Sequence, residues 1–261
     1  MPTDPGVRPL KRGDERSLAG THLAADLRSR PRPHLCTGFV VSLDGRVSLA
    51  GEWGPPAGIR NERDWRLLLE LVMQCDALIL SGSSVGRLHG GFLSDPGVPI
   101  DDLVAWRRDR GLPDQPATVV MSREGRFDPG ALVDLGDRVV VAAGAPLPPD
   151  LADAYDVVGV EVMVVGESGD VEARRLMAGL ESLGLGLACS VAGPSVLHEL
   201  VPALDSVFLT VVGRFVGGDE YLSLVEGPLF DDLPGFRLAR AHVDPAAPGG
   251  ADQLFLELTR V

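Results

Sequence analysis

Short apolar runs alternate with segments of helical periodicity along most of this chain, and no other feature limits the possible folds as strongly. Strand-like runs occupy residues 34–41, 76–80, 118–121, 138–143, 160–165, 185–191, 206–213 and 253–261. Apolar residues at helical spacing lie between them, at 60–75, 100–110, 171–183 and 194–201, with one further turn at 150–155. Alternation of this kind predicts an α/β fold, with a central, mostly parallel mixed β-sheet and helices on both faces.

The two ends of the chain depart from this alternation. No strong helix separates the last two strand-like runs, and residues 253–261 alternate as an antiparallel edge strand does. Residues 1–33 are rich in Pro, Arg and Asp, with at most a short helix around Leu18, Leu23 and Leu27. We therefore predict a partly disordered or peripheral N-terminal arm over 1–33 and one domain over 34–261, with Asn61 capping its first helix.

Charge and composition exclude several classes of function. The net charge is −13, and residues 1–33 hold seven basic and four acidic side chains, so the acidic excess lies in the rest of the chain. Such a body argues against nucleic acid as the main partner. Lys11 is the only lysine, which leaves residues 34–261 without a lysine for a P-loop or a Schiff base. No apolar run of about 18–20 residues and no signal-type segment occurs, so we expect a cytoplasmic protein that does not enter membranes.

Cysteine and histidine spacing indicates no metal site. Cys36, Cys75 and Cys189 lie far apart in sequence, each within or beside an apolar run, and no C-x-x-C is present. The five histidines form neither an H-x₃-H pair nor an H-E-x-x-H. This pattern predicts three buried, reduced thiols and no zinc.

The stretch 77–91, ALILSGSSVGRLHGG, contains a formal G-x-S-x-G at Gly82–Gly86. A hydrolase would need Ser84 between a strand and a helix. The glycines at 90, 91 and 97 and Pro96 disfavour that helix, so we disfavour a Ser84 nucleophile. The turn Gly82-Ser83-Ser84 instead offers backbone N–H groups and hydroxyls to an anion.

Two further turns of small residues favour a dinucleotide. Gly193–Ser195 follows a buried strand and opens a helix, where free N–H groups suit a pyrophosphate. Ser122 and Arg123 end another strand, and an arginine there suits the 2′-phosphate of NADPH. The other interpretation of Arg123, an ordinary exposed loop arginine, stays open.

Five segments together resemble a known family. They are RPHLCTGFVVSLDGRVS (32–48), DALILSGSSV (76–85), TVVMSR (118–123), CSVAGPSVLHEL (189–200) and ALDSVFLTVVGRFVGG (203–218). In collinear order they resemble the reductase domain of the bacterial riboflavin-pathway deaminase-reductases, over residues 32 to 260. The resemblance implies a dihydrofolate-reductase-like fold and, because no deaminase zinc motif precedes the domain, a stand-alone reductase.

The resemblance also implies a chemistry and a site. Members reduce the sugar C1′ of a ribosylamino-pyrimidine 5′-phosphate with NADPH, and they are commonly homodimers. Carried over by position, the cofactor would lie against Val41, Gly82, Ser83, Ser84, Val85, Ser122, Arg123, Ala192, Gly193, Pro194, Ser195, Val196 and Leu197. The substrate would face Ser42, Asp44, Arg60, Arg63, Arg87 and His89. Asp44 is the candidate proton donor or orienting acid, although an aspartate in an L-D-G turn also has a purely structural interpretation.

Departures from the family pattern concern the substrate side. Val191 stands where the family has a glutamate, and residues 85–93 lack the aspartate and proline of the family's tail. The helix that brings an arginine to the substrate phosphate ends here in Leu71, Val72 and Met73. A different acceptor, such as a pterin-like molecule, and a member that binds a nucleotide without turnover therefore remain alternatives.

Overall fold

The computed structural model describes residues 18–49, 51–94, 98–167, 169–247 and 249–261. The strands are β1 His34–Ser42, β2 Arg46–Leu49, β3 Ala77–Ser81, β4 Ala117–Ser122, β5 Val139–Ala143, β6 Glu161–Val164, β7 Leu187–Ser190, β8 Ser206–Val212, β9 Tyr221–Ser223, β10 Phe236–Asp244 and β11 Gln253–Arg260. The helices are α1 Glu62–Val72, α2 Asp101–Arg108, α3 Pro129–Val133, α4 Pro149–Val157, α5 Ala173–Ser182 and α6 Pro194–Leu200.

Nine strands form one sheet in the order β10-β11-β8-β1-β7-β3-β4-β5-β6. The seven strands from β8 to β6 are parallel, whereas β11 and β10 are antiparallel to their neighbours. Helices α5 and α6 pack on one face of the sheet, and α1 to α4 cover the other. The predicted α/β class, with a mostly parallel mixed sheet between helices, is confirmed.

The strand pattern predicted the buried strands and missed the exposed ones. Strand β10 lies outside β11, so the expectation that residues 253–261 form the sheet edge is wrong. The β10 sequence FRLARAHVD is mostly exposed and lacks apolar alternation, so it gave no strand signal. Strands β2 and β9 pair with each other as a separate ribbon and are too short for a periodic pattern. Helix α4 extends over Pro149–Val157, beyond the single turn expected.

The described part of the predicted arm, residues 18–33, packs against α1. It forms two short 3-10 turns, Leu23–Ala25 and Leu27–Ser29. The fully buried Glu70 carboxylate accepts hydrogen bonds from the backbone N–H groups of Gly20 and His22, at 2.6 and 2.9 Å. Asn61 caps α1, as predicted, by accepting from the Asp64 N–H. The first 17 residues of the predicted arm lie outside the described residues.

The three cysteines, distant in sequence, meet in the core under α1. Cys36 of β1 is the register partner of Cys189 of β7, and Cys75 follows α1. All three are free and completely buried, as predicted. Burial raises the pKa of the Cys75 thiol, which keeps it protonated.

In the described part of the chain, no helix is both long and apolar enough to cross a bilayer.

Candidate functional site

At the carboxyl edge of the sheet β1 and β3 extend beyond the short strand β7 between them, and we call the region above the end of β7 the crevice. Strand β7 ends at Ser190, which is level with Thr37 of β1 and Ile79 of β3. Strand β1 continues to Ser42 and β3 to Ser81, so the two rise on either side of the end of β7. Two neighbouring inter-strand spacings separate β1 from β3 by about 10 Å. Crevices at the carboxyl ends of parallel strands are where open α/β sheets bind ligands.

The predicted cofactor residues all come to this edge of the sheet. Val41 lies near the end of β1 and Ser122 ends β4, and the other positions lie in the turns after β3, β4 and β7 or in the first turn of α6. Besides Val41, the predicted residues are Gly82, Ser83, Ser84, Val85, Ser122, Arg123, Ala192, Gly193, Pro194, Ser195, Val196 and Leu197. Parallel strands carry their carboxyl ends to one edge, which is why segments more than 100 residues apart in sequence meet here.

The turn after β3 is a hydroxyl cluster with no partners for nucleophilic catalysis. The Ser81 hydroxyl lies 2.7 Å from the Ser83 Oγ and 3.4 Å from the Ser84 Oγ. Gly82–Ser84 forms a 3-10 turn and not the start of an α-helix, and Ser84 is buried. Among the described residues no histidine or carboxylate hydrogen-bonds to Ser84, which removes the basis of the hydrolase interpretation.

Arg123 forms an ion pair that joins the turn after β4 to α6. Its side chain is 72% exposed, and Nη2 lies 3.5 Å from Glu199 Oε1 on α6. The neighbouring Ser122 hydroxyl accepts from the Gly125 N–H at 3.0 Å. An exposed ion pair of this kind contributes little to stability. The guanidinium can therefore exchange its carboxylate partner for a phosphate at small cost.

Asp44 is held as a structural carboxylate. It accepts from the Ser42 hydroxyl at 2.6 Å and from the backbone N–H groups of Val216 and Gly217 at 3.1 and 3.0 Å. The Arg46 Nε lies 2.9 Å away. The hydrogen bond from Ser42, followed by that from Gly217, holds the pKa of Asp44 far below its usual range. This environment disfavours the proton-donor role and fits the structural interpretation of the L-D-G turn.

The predicted substrate arginines of α1 face a different set of partners. Arg63 forms a bidentate ion pair with the buried Asp244, with Nε–Oδ2 and Nη2–Oδ1 distances of 2.6 and 2.8 Å. Gln253 also donates to Asp244, at 2.8 Å. Arg63 therefore ties α1 to the strands β10 and β11. Arg60 immediately precedes that helix and is exposed.

Arg87 and His89 lie on the far side of the crevice, after β3. Both are exposed, and His89 Nδ1 is 3.4 Å from Asp134 Oδ2. His89 and Asp134 line a cavity of about 470 Å³ with Gly86 and residues of α3. The six predicted substrate residues thus divide among three places: the end of β1, the start of α1 and the turn after β3.

Asp64 is a site candidate that the sequence did not reveal. It lies in the first turn of α1, and its carboxyl group is hydrogen-bonded with Thr210 of β8. Desolvation raises the pKa of Asp64 to about 6. In the sequence, Asp64 looks like any acidic residue in the first turn of a helix. Only its contact with β8 in the folded chain distinguishes it from such residues.

A second cavity, of about 330 Å³, lies beyond β8 and was also not predicted. It is lined by Pro56, Gly58, Arg214, Phe215 and Val216. We call it the β8-end cavity. Its only sequence signal was the resemblance over 203–218, which assigned no role to these residues.

Solved structures of reductases share this architecture. A pyrimidine reductase-like protein from Corynebacterium diphtheriae superposes with a TM-score of 0.66 at 18% identity, over 88% of this chain and 92% of that one. The diaminohydroxyphosphoribosylaminopyrimidine deaminase/5-amino-6-(5-phosphoribosylamino)uracil reductase of Thermotoga maritima gives 0.59 at 16% identity, over 94% of this chain and 60% of that one. The riboflavin biosynthesis reductase Rib7 of Saccharomyces cerevisiae gives 0.56 at 13% identity, over 88% and 90%. The chain has the pyrimidine-reductase fold.

The likeness to these proteins is structural, at identities of 18% and below. No protein-family model matches the chain, and no curated protein sequence matches it. The pyrimidine-reductase fold therefore places the crevice and the elements around it, while the chemistry performed there has to be argued from this chain's own residues.

Proposed function

We propose that this protein is an NADPH-dependent reductase that delivers hydride to a ribosylamino-pyrimidine 5′-phosphate or a related heterocycle. The observation that carries the proposal is the convergence of four small-residue strand ends on one crevice in a chain with the fold of pyrimidine reductases. Most of the rate enhancement would come from holding the nicotinamide against the acceptor carbon in a geometry ready for transfer.

The residues at the crevice fit a dinucleotide phosphate. Ser83 presents an exposed hydroxyl, and a Cβ at Gly193 would meet no atom within 4 Å, so this turn leaves open space beside the crevice. Arg123 is an exposed cation on the same rim, suited to the 2′-phosphate. When bound, NADPH would supply the hydride.

A proton must accompany the hydride, because the acceptor gains both when its carbon is reduced and the adjacent heteroatom takes up the proton. Asp64 fits this role better than Asp44, because a carboxyl group with a pKa near 6 retains some of its protonated form at neutral pH. Thr210, its hydroxyl partner, is level with Val40 of β1. Asp64 therefore lies on the α1 face of the sheet, beside strands β8 and β1.

Cofactor titration tests the proposal directly. NADPH and NADH are titrated into the purified protein while nicotinamide fluorescence is followed. We expect NADPH to bind more tightly than NADH, and Arg123→Gln to weaken NADPH about tenfold while leaving NADH nearly unchanged, since only NADPH carries the 2′-phosphate. Arg108→Gln, on the exposed side of α2 and paired with Asp114, is the matched control.

Turnover tests the acceptor. We expect NADPH oxidation only after a ribosylamino-pyrimidine phosphate is added, with the ribitylamino compound as product. Failure to bind either nicotinamide cofactor would refute the reductase. Tight cofactor binding without oxidation by any pyrimidine or pterin acceptor would favour a binding protein without turnover.

A pterin-like acceptor is the second candidate, and Asp64 favours it. A carboxylate with a hydroxyl partner and no cationic partner among the described residues can accept two parallel N–H bonds from an amino-heterocycle. Oxidation of NADPH with dihydropterins in the same assay would decide for this acceptor. The cytoplasmic location and the homodimer stay predictions, and light scattering coupled to size-exclusion chromatography measures the latter.

A further inference from the structure

The β8-end cavity lies beside the crevice, one strand away from it. Val212, the last residue of β8, is the register partner of Ser42 at the end of β1. The loop that follows β8 forms one wall of the cavity, and Pro56 and Gly58 form the other. Because adjacent strands are about 4.8 Å apart, the end of β8 lies one strand spacing from the end of β1, which borders the crevice.

The wall after β8 is fixed by two half-buried charged side chains, Asp44 and Arg46. The Asp44 carboxylate accepts from the Val216 and Gly217 N–H groups, and Arg46 donates to the Gly217 carbonyl oxygen. Beneath the wall, Val216 packs on the buried cluster of Val40, Ile59 and Val212. The cavity therefore has a preformed shape, which reduces the entropy lost when a ligand binds.

Arg214 lines this cavity with a guanidinium that has N–H groups not used in hydrogen bonds. Its Nη2 donates to the Gly249 carbonyl oxygen at 2.8 Å. Its Nε is buried, and no described residue accepts a hydrogen bond from it. A ligand cannot reach this buried atom, but the exposed end of the guanidinium can donate to an anionic group in the cavity.

Phe215 gives the cavity an aromatic face. The side chain is 78% exposed although it follows a strand end tied into the core. A large apolar side chain kept exposed at a cavity wall suggests contact with a ligand, because stacking on a planar ring removes its apolar surface from water.

We propose that the β8-end cavity binds a planar heterocycle carrying an anionic group, with the ring against Phe215 and the anion on Arg214. The further claim that this cavity is the acceptor pocket of the reductase rests on the proposed function. The claim that the cavity binds such a molecule depends only on the geometry of the cavity. The anionic group can be a phosphate on a ribosyl substituent or a carboxylate on the ring itself, since both accept from a guanidinium.

Calorimetric titration with four probes tests the site on the full chain, with and without NADP⁺. The probes are uridine 5′-monophosphate, uridine, orotate and uracil. We expect at least one charged probe to bind about tenfold more tightly than its uncharged counterpart, the difference typical of a charged hydrogen bond. The nucleotide pair reports a phosphate, and the orotate–uracil pair reports a carboxylate.

Variants assign the effect to its residues. We expect Arg214→Gln to abolish the preference for the charged probe, Arg214→Lys to retain part of it, and Phe215→Ala to weaken charged and uncharged probes alike. Arg108→Gln is the control, and thermal melting verifies that each variant is folded. An unchanged preference in folded Arg214→Gln, or equal binding of charged and uncharged probes to the wild type, would overturn the site.

Failures of the two proposals are distinguishable. NADPH binding without a charged-probe preference retains the reductase and rejects this pocket. An Arg214-dependent preference in a protein that binds neither nicotinamide cofactor retains the binding site and rejects the reductase.

Discussion

The surroundings of two aspartates near the end of β1 shift their pKa values in opposite directions, down for Asp44 and up for Asp64. Asp44 accepts hydrogen bonds from one hydroxyl and two backbone N–H groups, which stabilises its charged form. Asp64 is half-buried against β8, and desolvation disfavours its charged form although the hydrogen bond with Thr210 opposes this shift. Environments that separate the pKa values of two acids in this way commonly mark different roles, one structural and one in proton transfer.

Replacement of Asp64 tests its proton role. We expect Asp64→Asn to lower kcat about 10²-fold or more, the usual contribution of a general acid, while the NADPH dissociation constant stays within about twofold. Because the protonated carboxyl is the active form, wild-type kcat should fall as pH rises above about 6. This limb should be absent from the variant's pH profile.

The matched control for this replacement is Asp102→Asn, an exposed first-turn acid of α2 that pairs with Arg66. It should leave both kcat and the pH profile unchanged. An Asp64→Asn enzyme with the wild-type pH profile would contradict the assignment.

Residue types at the strand ends were predictable, whereas their partners were not. The serines and glycines after β3 and β7 stood out because they interrupt apolar runs. Arg63 was predicted to face the substrate and Arg123 the 2′-phosphate of the cofactor, and the structure pairs them with Asp244 and Glu199. A carboxylate contributed by a distant element leaves no local trace in the sequence around the arginine.

At the scale of elements, the arm over residues 18–33 acts as a strap on α1. Arg28 and Arg32 both form ion pairs with Asp76, each at 2.8 Å. His22 is buried, with its ring 5.2 Å from that of Phe208. Burial lowers the pKa of His22 to about 4, so the strap holds a neutral imidazole against the sheet.

The neutral His22 makes stability depend on pH. The unfolded chain protonates this residue near pH 6.5 and the folded chain near pH 4, so the unfolded state binds more protons between those values. Stability should therefore decrease as pH falls through this window. The loss from His22 between pH 7.5 and pH 5 is about 2 kcal/mol.

Urea unfolding of the wild type and of His22→Phe at both pH values measures this contribution as the difference between their pH dependences. His89→Gln, which changes an 82% exposed imidazole, should behave as the wild type does. Equal pH dependence in the wild type and His22→Phe would show that His22 is not held neutral.

At the scale of the whole molecule, the nine-stranded sheet joins residues that the sequence separates widely. The cysteines at 36, 75 and 189 share one buried cluster, and each has zero exposed surface. Their burial depends on β1, β7 and α1 together, so exposing any of them requires extensive opening of the fold.

Thiol labelling measures that opening. We expect none of the three thiols to react with Ellman's reagent in the native protein, and all three to react in denaturant. At high reagent concentration the labelling rate in water should equal the rate of global unfolding measured by stopped-flow fluorescence. Faster labelling of Cys75 alone would indicate that α1 opens independently.

The sequence by itself determined the layered α/β architecture and the edge of the sheet where the candidate site residues lie. Apolar periodicity is a local property, and it distinguishes buried strands from amphipathic helices. Glycine and serine after an apolar run also mark a strand end locally, which is why the turns at Gly82 and Gly193 could be identified. The exposed strand β10 escaped because its residues are polar along most of its length.

Only the tertiary structure decided which polar groups meet. It inserted β7 between β1 and β3 and ended it early, which opened the crevice. It brought Asp64 within hydrogen-bonding distance of Thr210 and paired the Asp44 carboxylate with backbone N–H groups of the loop after β8. It also formed the β8-end cavity, which Arg214 lines. Burial and charge pairing depend on distances between elements far apart in the chain, and those distances exist only once the sheet has assembled.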